Sequence, residues 1–192
     1  MKKYIILLMI FTVSLLANTD KKSSIGFSVN SLLVSDANHG YFSKENSATE
    51  VSLDFMYEVV KDISIGLSFE NLIDQEDADN KFDYMTANLL VQYSYNLVKS
   101  LDLFASLSTG YQKTYFTLNE KSFTSHDVNI NPSLGLAFTL NIRNKSFKIS
   151  YELGYKYQTE NDLKFKSESR SIDYGKFSAS GIKQKFKVSF LF

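Results

Sequence analysis

Apolar and polar residues alternate with period two along eight stretches of this chain. In the last of them, Ile182, Phe186, Val188, Phe190 and Phe192 fall on one face, and Lys183, Lys185, Lys187 and Ser189 on the other. Successive side chains of a strand point to opposite sides of its sheet, so each stretch predicts a strand with one apolar and one polar face. The first covers 23–35, with Ile25, Phe27, Val29 and Leu33 on the apolar face. The second, 49–60, sets Val51, Leu53, Phe55, Tyr57 and Val59 against Glu50, Ser52, Asp54, Met56 and Glu58. Six more are predicted over 63–73, 84–97, 101–116, 128–141, 147–158 and 178–192. Each is long enough for a tilted membrane crossing, which takes about 9–11 residues.

The connections alternate in length. Asp36 to Ala48, Asp74 to Asp83, Asn119 to Asp127 and Thr159 to Phe177 are long. Lys61-Asp62, Val98-Lys99-Ser100 and Arg143-Asn144-Lys145 are short. Long loops on one side and tight turns on the other are the arrangement of a transmembrane β-barrel. The expected fold is therefore all-β: an eight-stranded antiparallel transmembrane barrel, an up-and-down meander with both termini at the short-turn, periplasmic end. Tyr57, Tyr93, Tyr95 and Phe192 fall near that end, and Tyr111, Tyr115, Tyr155 and Tyr157 near the other. Two aromatic girdles at the lipid–water boundaries explain that placement. A soluble sandwich would also carry a charged face, but it would normally use more Pro and Gly turns. Pro132 is the misfit, since proline cannot donate to a ladder; a bulge or the external rim of strand six would accommodate it.

Met1-Lys2-Lys3, the apolar run Tyr4 to Leu16 and the small residue Ala17 read as a secretory signal peptide. The run is too short to span a bilayer as a helix. The expected organisation is a signal peptide over 1–17 and one barrel domain over 18–192. No cysteine is present, so neither a disulfide framework nor a lipoprotein anchor is expected. Lysine plus arginine equals aspartate plus glutamate, 21 each. Setting aside Lys2 and Lys3 leaves a slight acidic excess and no push toward nucleic acid.

An eight-stranded barrel has an interior just wide enough for side chains to fill. Charges inside must pair, because an isolated buried charge is costly. Glu50, Asp54 and Glu58 of strand two, Glu70 of strand three, Lys148, Glu152 and Lys156 of strand seven and Lys183, Lys185 and Lys187 of strand eight are expected to form a lumen charge network. Strand one lies between strands eight and two, and its inward Ser24, Gly26, Ser28 and Asn30 are small enough for lysines to cross. By chain direction, Glu58, Lys148 and Lys187 are expected low, Asp54, Glu152 and Lys183 midway, and Glu50 and Lys156 high. Such a network plugs and stiffens the barrel, or else forms a gated path for ions.

Signal peptide, eight strands, polar lumen and terminal Phe192 resemble the small outer-membrane barrels of the OmpA transmembrane-domain, OmpX and Opa type. The closing residues Phe186, Val188, Phe190 and Phe192 resemble the signal read by the barrel-assembly machinery. The resemblance implies an outer-membrane location, contact with outer-membrane lipids and lipopolysaccharide, and a structural or adhesin-like role through external loops, acting as a monomer. It implies no peptidoglycan-binding domain past Phe192. A small pore and a lipid A-modifying enzyme are the competing classes.

The enzyme class rests on His126, in Ser125-His126-Asp127, and on His39, in Asn38-His39-Gly40-Tyr41. Lipid A deacylase barrels use a Ser–His–acid set, but Val128 stands where that pattern wants serine. Lipid A palmitoyltransferase barrels place a histidine in a loop like that of His39, but they begin with an amphipathic helix for which 18–24 is too short. No catalytic residue, cofactor or metal site is therefore expected. Asp74, Glu76, Asp77, Asp79 and Asp83, and likewise Asp36 and Glu45, match no calcium-loop spacing. Lys164, Lys166 and Arg170 suit lipopolysaccharide phosphates or a host surface. Any recognition is expected at 36–48 and 159–177, because loops on a rigid scaffold are where binding resides.

Overall fold

The structure is a computed structural model that describes residues 23–34, 47–73, 75–77, 80–118, 121–143, 145–159, 161–167, 170–177 and 180–192. The signal-peptide reading, the cleavage point, His39 and most of the first loop lie outside the described residues, as do the side chains of Asp74 to Asp79 and of Lys164 to Arg170.

Eleven strands follow in order: β1 Ser23–Val34, β2 Ser47–Val60, β3 Ile63–Leu72, β4 Gln75–Asp77, β5 Asn80–Val98, β6 Leu101–Leu118, β7 Lys121–Ile142, β8 Lys145–Gln158, β9 Asn161–Ser167, β10 Arg170–Phe177 and β11 Gly181–Leu191. Eight of them, β1, β2, β3, β5, β6, β7, β8 and β11, pair antiparallel with their neighbours. Pairing of β1 with β11 and of β3 with β5 closes the sheet into a barrel without an edge. The chain ends of the barrel are stitched together by Ser23 N–H to Phe192 O, 3.1 Å, and Phe192 N–H to Ser23 O, 2.9 Å.

Alternation dictates this architecture. Phe27, Val29, Val51, Leu67, Leu89, Leu107, Leu134, Leu153 and Phe186 stand exposed on the outer wall, while their neighbours in sequence face the interior. The interior is mostly polar, with Leu32, Leu72, Leu90, Phe104 and Ala137 as buried apolar exceptions. An apolar exterior around a polar interior inverts a soluble protein and suits a lipid solvent, where every backbone group must be met within the barrel.

Two short turns at one end of the barrel are taken by left-handed residues, Asp62 at φ 68° and Arg143 at φ 55°. Aspartate accepts that conformation readily and arginine less so. The other end differs from the sequence expectation. Strand six was expected over 128–141 with a loop before it, but β7 begins at Lys121 and pairs with β6 as far as Leu118. Phe116, Thr117, Phe123 and Thr124 have strong strand propensity. Strand four likewise starts at Asn80, with β4 folded back on it. The stretch expected as the longest loop holds the hairpin β9–β10, and strand eight begins at Gly181 rather than 178.

Pro132 is neither at a rim nor in a bulge. It sits mid-strand opposite Leu107 of β6. The β7–β8 ladder skips Asn131 and Pro132 yet resumes in the same register, from Ile130↔Tyr157 to Ser133↔Gly154. Val128 O accepts from Thr159 N–H, so even-numbered β7 residues turn their backbone toward β8. Pro132 therefore removes one donor to β8 and no more. Pro132→Val is expected to raise barrel stability by about 1 kcal/mol, one recovered hydrogen bond, read from the urea midpoint of the variant in lipid vesicles.

Candidate functional site

The interior of the barrel gathers most of the charges singled out in the sequence. β11 supplies Lys183, Lys185 and Lys187, β8 supplies Lys156 and Glu152, β2 supplies Glu50 and Asp54, and β3 supplies Glu70. All but Glu152 have nearly no exposed surface.

The network has two centres. In the upper one, Glu50 is held by Lys156 Nζ at 3.1 Å on Oε1 and by Lys183 Nζ at 2.7 Å on Oε2. Lys183 also reaches Glu70 Oε2 at 2.8 Å. Tyr84 O–H donates to Glu50 Oε1, Asn30 Nδ2 donates to Oε2 at 3.3 Å, and Lys156 Nζ lies 4.5 Å from the centre of the Tyr84 ring. In the lower centre, Asp54 Oδ2 meets Lys185 Nζ at 2.6 Å and Lys187 Nζ at 3.3 Å. Asp54 Oδ1 accepts from Ser68 Oγ at 2.6 Å and Ser52 Oγ at 3.3 Å. Glu152 accepts from Ser106 Oγ at 2.8 Å and from Ser133 Oγ. Lys156, Lys183, Lys185 and Lys187 thus face Glu50, Glu70, Asp54 and Glu152, so the plug carries no net charge.

Small residues on β1 make the crossing possible. Gly26 lies opposite Ser189 of β11 and Asp54 of β2. A Cβ there would stand 2.4 Å from Ser189 Oγ and 3.1 Å from Lys187 Cδ. Lys187 therefore travels over the bare backbone of Gly26 on its way to Asp54.

Lys183 stands at another level than expected, while Lys148 and Glu58, low as expected, stay outside the two centres. Lys183 belongs to the upper centre rather than the middle, because β11 and β1 pair with Lys183 beside Leu32, a row above Asn30 and Glu50. Lys148 pairs with Asp102 Oδ2 at 3.0 Å. Glu58 is half-buried in the wall of a cavity of about 180 Å³ that opens at the short-turn end and makes none of these ion pairs. That vestibule is also lined by Asp62, Asp102, Lys148 and Lys187, and Phe104 stands in its wall. The Phe104 ring lies over Gly135, whose Cβ, if present, would be 2.3 Å from Phe104 Cζ.

Asp102, Tyr84 and Asp127 are members of the interior that sequence reasoning did not select. The inward parity of Asp102 and Tyr84 within their strands was the available signal. Asp127 was assigned to a loop, yet it is buried, accepting from Ser125 Oγ at 3.3 Å and Thr114 Oγ1 at 3.4 Å. His126 points the other way, onto the outer wall. It hydrogen-bonds Tyr111 O–H through Nδ1, with the two rings stacked at 5.5 Å. Because neighbours in a strand face opposite sides, Ser125 and Asp127 cannot converge on His126. The assembly-signal residues Phe186 and Val188 are exposed on the wall, and Phe190 packs between Phe147 at 5.6 Å and Phe192 at 5.9 Å. Among the described residues no group of acidic or histidine side chains is placed to hold a metal ion.

No protein-family model and no curated protein matches the sequence. Solved structures do match. Neisserial surface protein A superposes with a TM-score of 0.61 at 7% identity, over 90% of this chain and 98% of that one. OprG of Pseudomonas aeruginosa gives 0.55 at 11% identity, over 89% and 96%. Ail, the attachment invasion locus protein of Yersinia pestis, gives 0.51 at 17% identity, over 88% and 96%. With the closed antiparallel ring of β1 to β11, these likenesses identify the fold of the chain as that of the small eight-stranded outer-membrane β-barrels.

Proposed function

We propose that the protein stands in the bacterial outer membrane as a plugged barrel and acts as a structural or surface-interaction protein, not as an enzyme. The observation that carries the reading is the neutral plug. Two carboxylate centres, each gripped by two lysines, fill the middle of the lumen where a channel would need water. Meanwhile β5, β6 and β7 run on past the ends of β3 and β8, presenting chain outside the membrane for contact with a host or surface ligand. Ail, an attachment invasion locus protein, carries a name that agrees with this use of the fold. Lipopolysaccharide and the assembly machinery are the partners that the exterior and the closing strand suit.

The refolded mature chain is expected to give no steady single-channel conductance in a planar bilayer. Reproducible openings in the unmodified protein would overturn the plugged reading. They would favour a small pore, for which the open vestibule of about 180 Å³ is the supporting feature.

A further inference from the structure

The outer wall carries a polar niche. Thr49 of β2, Ser31 of β1 and Gln184 of β11 lie side by side in register and all face outward. The same row continues into Leu153 on one side. The row above pairs Leu33 with Ile182 and the row below pairs Val29 with Phe186, so the three polar groups sit inside the apolar belt. Small side chains at Ser31 and Thr49 leave a groove of about 240 Å³, walled by Val29, Phe186 and Tyr151.

The chemistry of the niche is one-sided. Tyr151 O–H donates to Gln184 Oε1 at 3.2 Å, which satisfies the amide oxygen and leaves the NH₂ without a hydrogen bond among the described residues. The hydroxyls of Ser31 and Thr49 make no hydrogen bond within the described residues. Thr109 shows the ordinary solution for an outward hydroxyl, donating to Asn129 O at 3.0 Å. Donors left open toward hydrocarbon are costly, so this row calls for an acceptor from outside the chain.

Depth says which acceptor. A strand rises about 3.4 Å per residue, and a tilt near 45° leaves about 2.4 Å of that along the membrane normal. Gln184 therefore stands about 19 Å above Phe192, in a belt about 25 Å tall. With Phe192 at the lower edge of the belt, that sets the row about 6 Å below its upper edge, just beneath the acyl linkages of outer-leaflet lipids and within reach of a side chain extended toward them.

Resting on the membrane reading above, we infer that Ser31, Thr49 and Gln184 form a binding site for the acyl-linkage carbonyl of one outer-leaflet lipid, with its chain lying along Val29 and Phe186. The linkage is an ester or an amide, from a phospholipid or from lipid A.

The test is native mass spectrometry of the refolded mature chain against its S31V/T49V/Q184L variant. The probes are a diacyl phospholipid, its diether analogue without carbonyls, and purified lipid A. Heat-modifiable mobility of both proteins in vesicles checks membrane insertion first, so failure of the membrane reading is seen separately. The unmodified chain should retain one ester lipid more firmly than the variant, by roughly five-fold for each hydrogen bond lost. It should show no such advantage with the diether. Preference for phospholipid or for lipid A then names the source. Equal retention of ester and ether lipids by both proteins would overturn the site. So would a cross-linked dimer of the unmodified chain that the variant loses, since a second copy would then cover the row.

Discussion

Replacing Glu50 with alanine is expected to cost about 3–5 kcal/mol, the usual consequence of removing one partner of a buried ion pair. Two ammonium groups would lose their counter-charge at once, Lys156 at 3.1 Å and Lys183 at 2.7 Å. Lys183 keeps Glu70 at 2.8 Å, but Lys156 is 1% exposed and would retain only the face of the Tyr84 ring. Tyr84 itself, fully buried, would lose the acceptor of its hydroxyl proton. Against a total stability of about 5–15 kcal/mol, this is the largest single-residue effect expected in the barrel. Urea unfolding in vesicles, followed by the heat-modifiable gel shift, measures it. Glu50→Gln should cost less, because its amide oxygen still accepts from one of the two donors, Tyr84 or Asn30. Adding Lys156→Met to Glu50→Gln should cost less than the two single changes summed, since the methionine leaves no orphaned charge. Additive losses would mean that Glu50 and Lys156 are not energetically coupled.

The same residues show what a sequence read alone can supply. Strand identity and sidedness were legible because period two is unambiguous when Glu50, Ser52, Asp54 alternate with Val51, Leu53, Phe55. The pairing of lysines with carboxylates across β1 followed from chain order and from the small residues of that strand. Which lysine meets which carboxylate did not follow, because partners depend on the stagger between strands, and stagger is a property of the closed barrel. Lys183 beside Glu70 and Lys148 beside Asp102 are results of that stagger. The strand ends opposite the short turns departed from expectation for another reason. Polar, charged segments such as Lys121 to Asp127 read as loops when strands are expected to show an apolar face, yet the continued ladder with β6 holds this one as a strand. Tyr84 was assigned to no face because its strand was thought to begin there; with β5 starting at Asn80, the even-numbered parity that buries Tyr84, Thr86 and Asn88 is plain.

Cutting the lower centre out of the plug is expected to turn the barrel into a conductor. In the D54S/K185S/K187S variant the charges removed are one negative and two positive, and three long or branched side chains become hydroxymethyl groups. Lys187 already lines the vestibule, so its truncation extends that space upward past Gly26, where no Cβ stands in the way. Glu152, Ser68, Ser52 and Ser28 would then form a hydrophilic wall able to keep water and cations. The upper centre, Glu50 with Lys156 and Lys183, would remain as a single constriction. Flickering, cation-selective steps are therefore expected where the unmodified protein is silent, and adding K183S should lengthen the openings. Glu152 explains the selectivity: with Lys185 and Lys187 gone it faces the newly opened stretch without its lysines, and Glu58, Asp62 and Asp102 outnumber Lys148 in the vestibule below. A silent triple variant that still folds would mean that Phe104 and the upper centre close the lumen by themselves, and that the ion pairs at Asp54 serve stability alone.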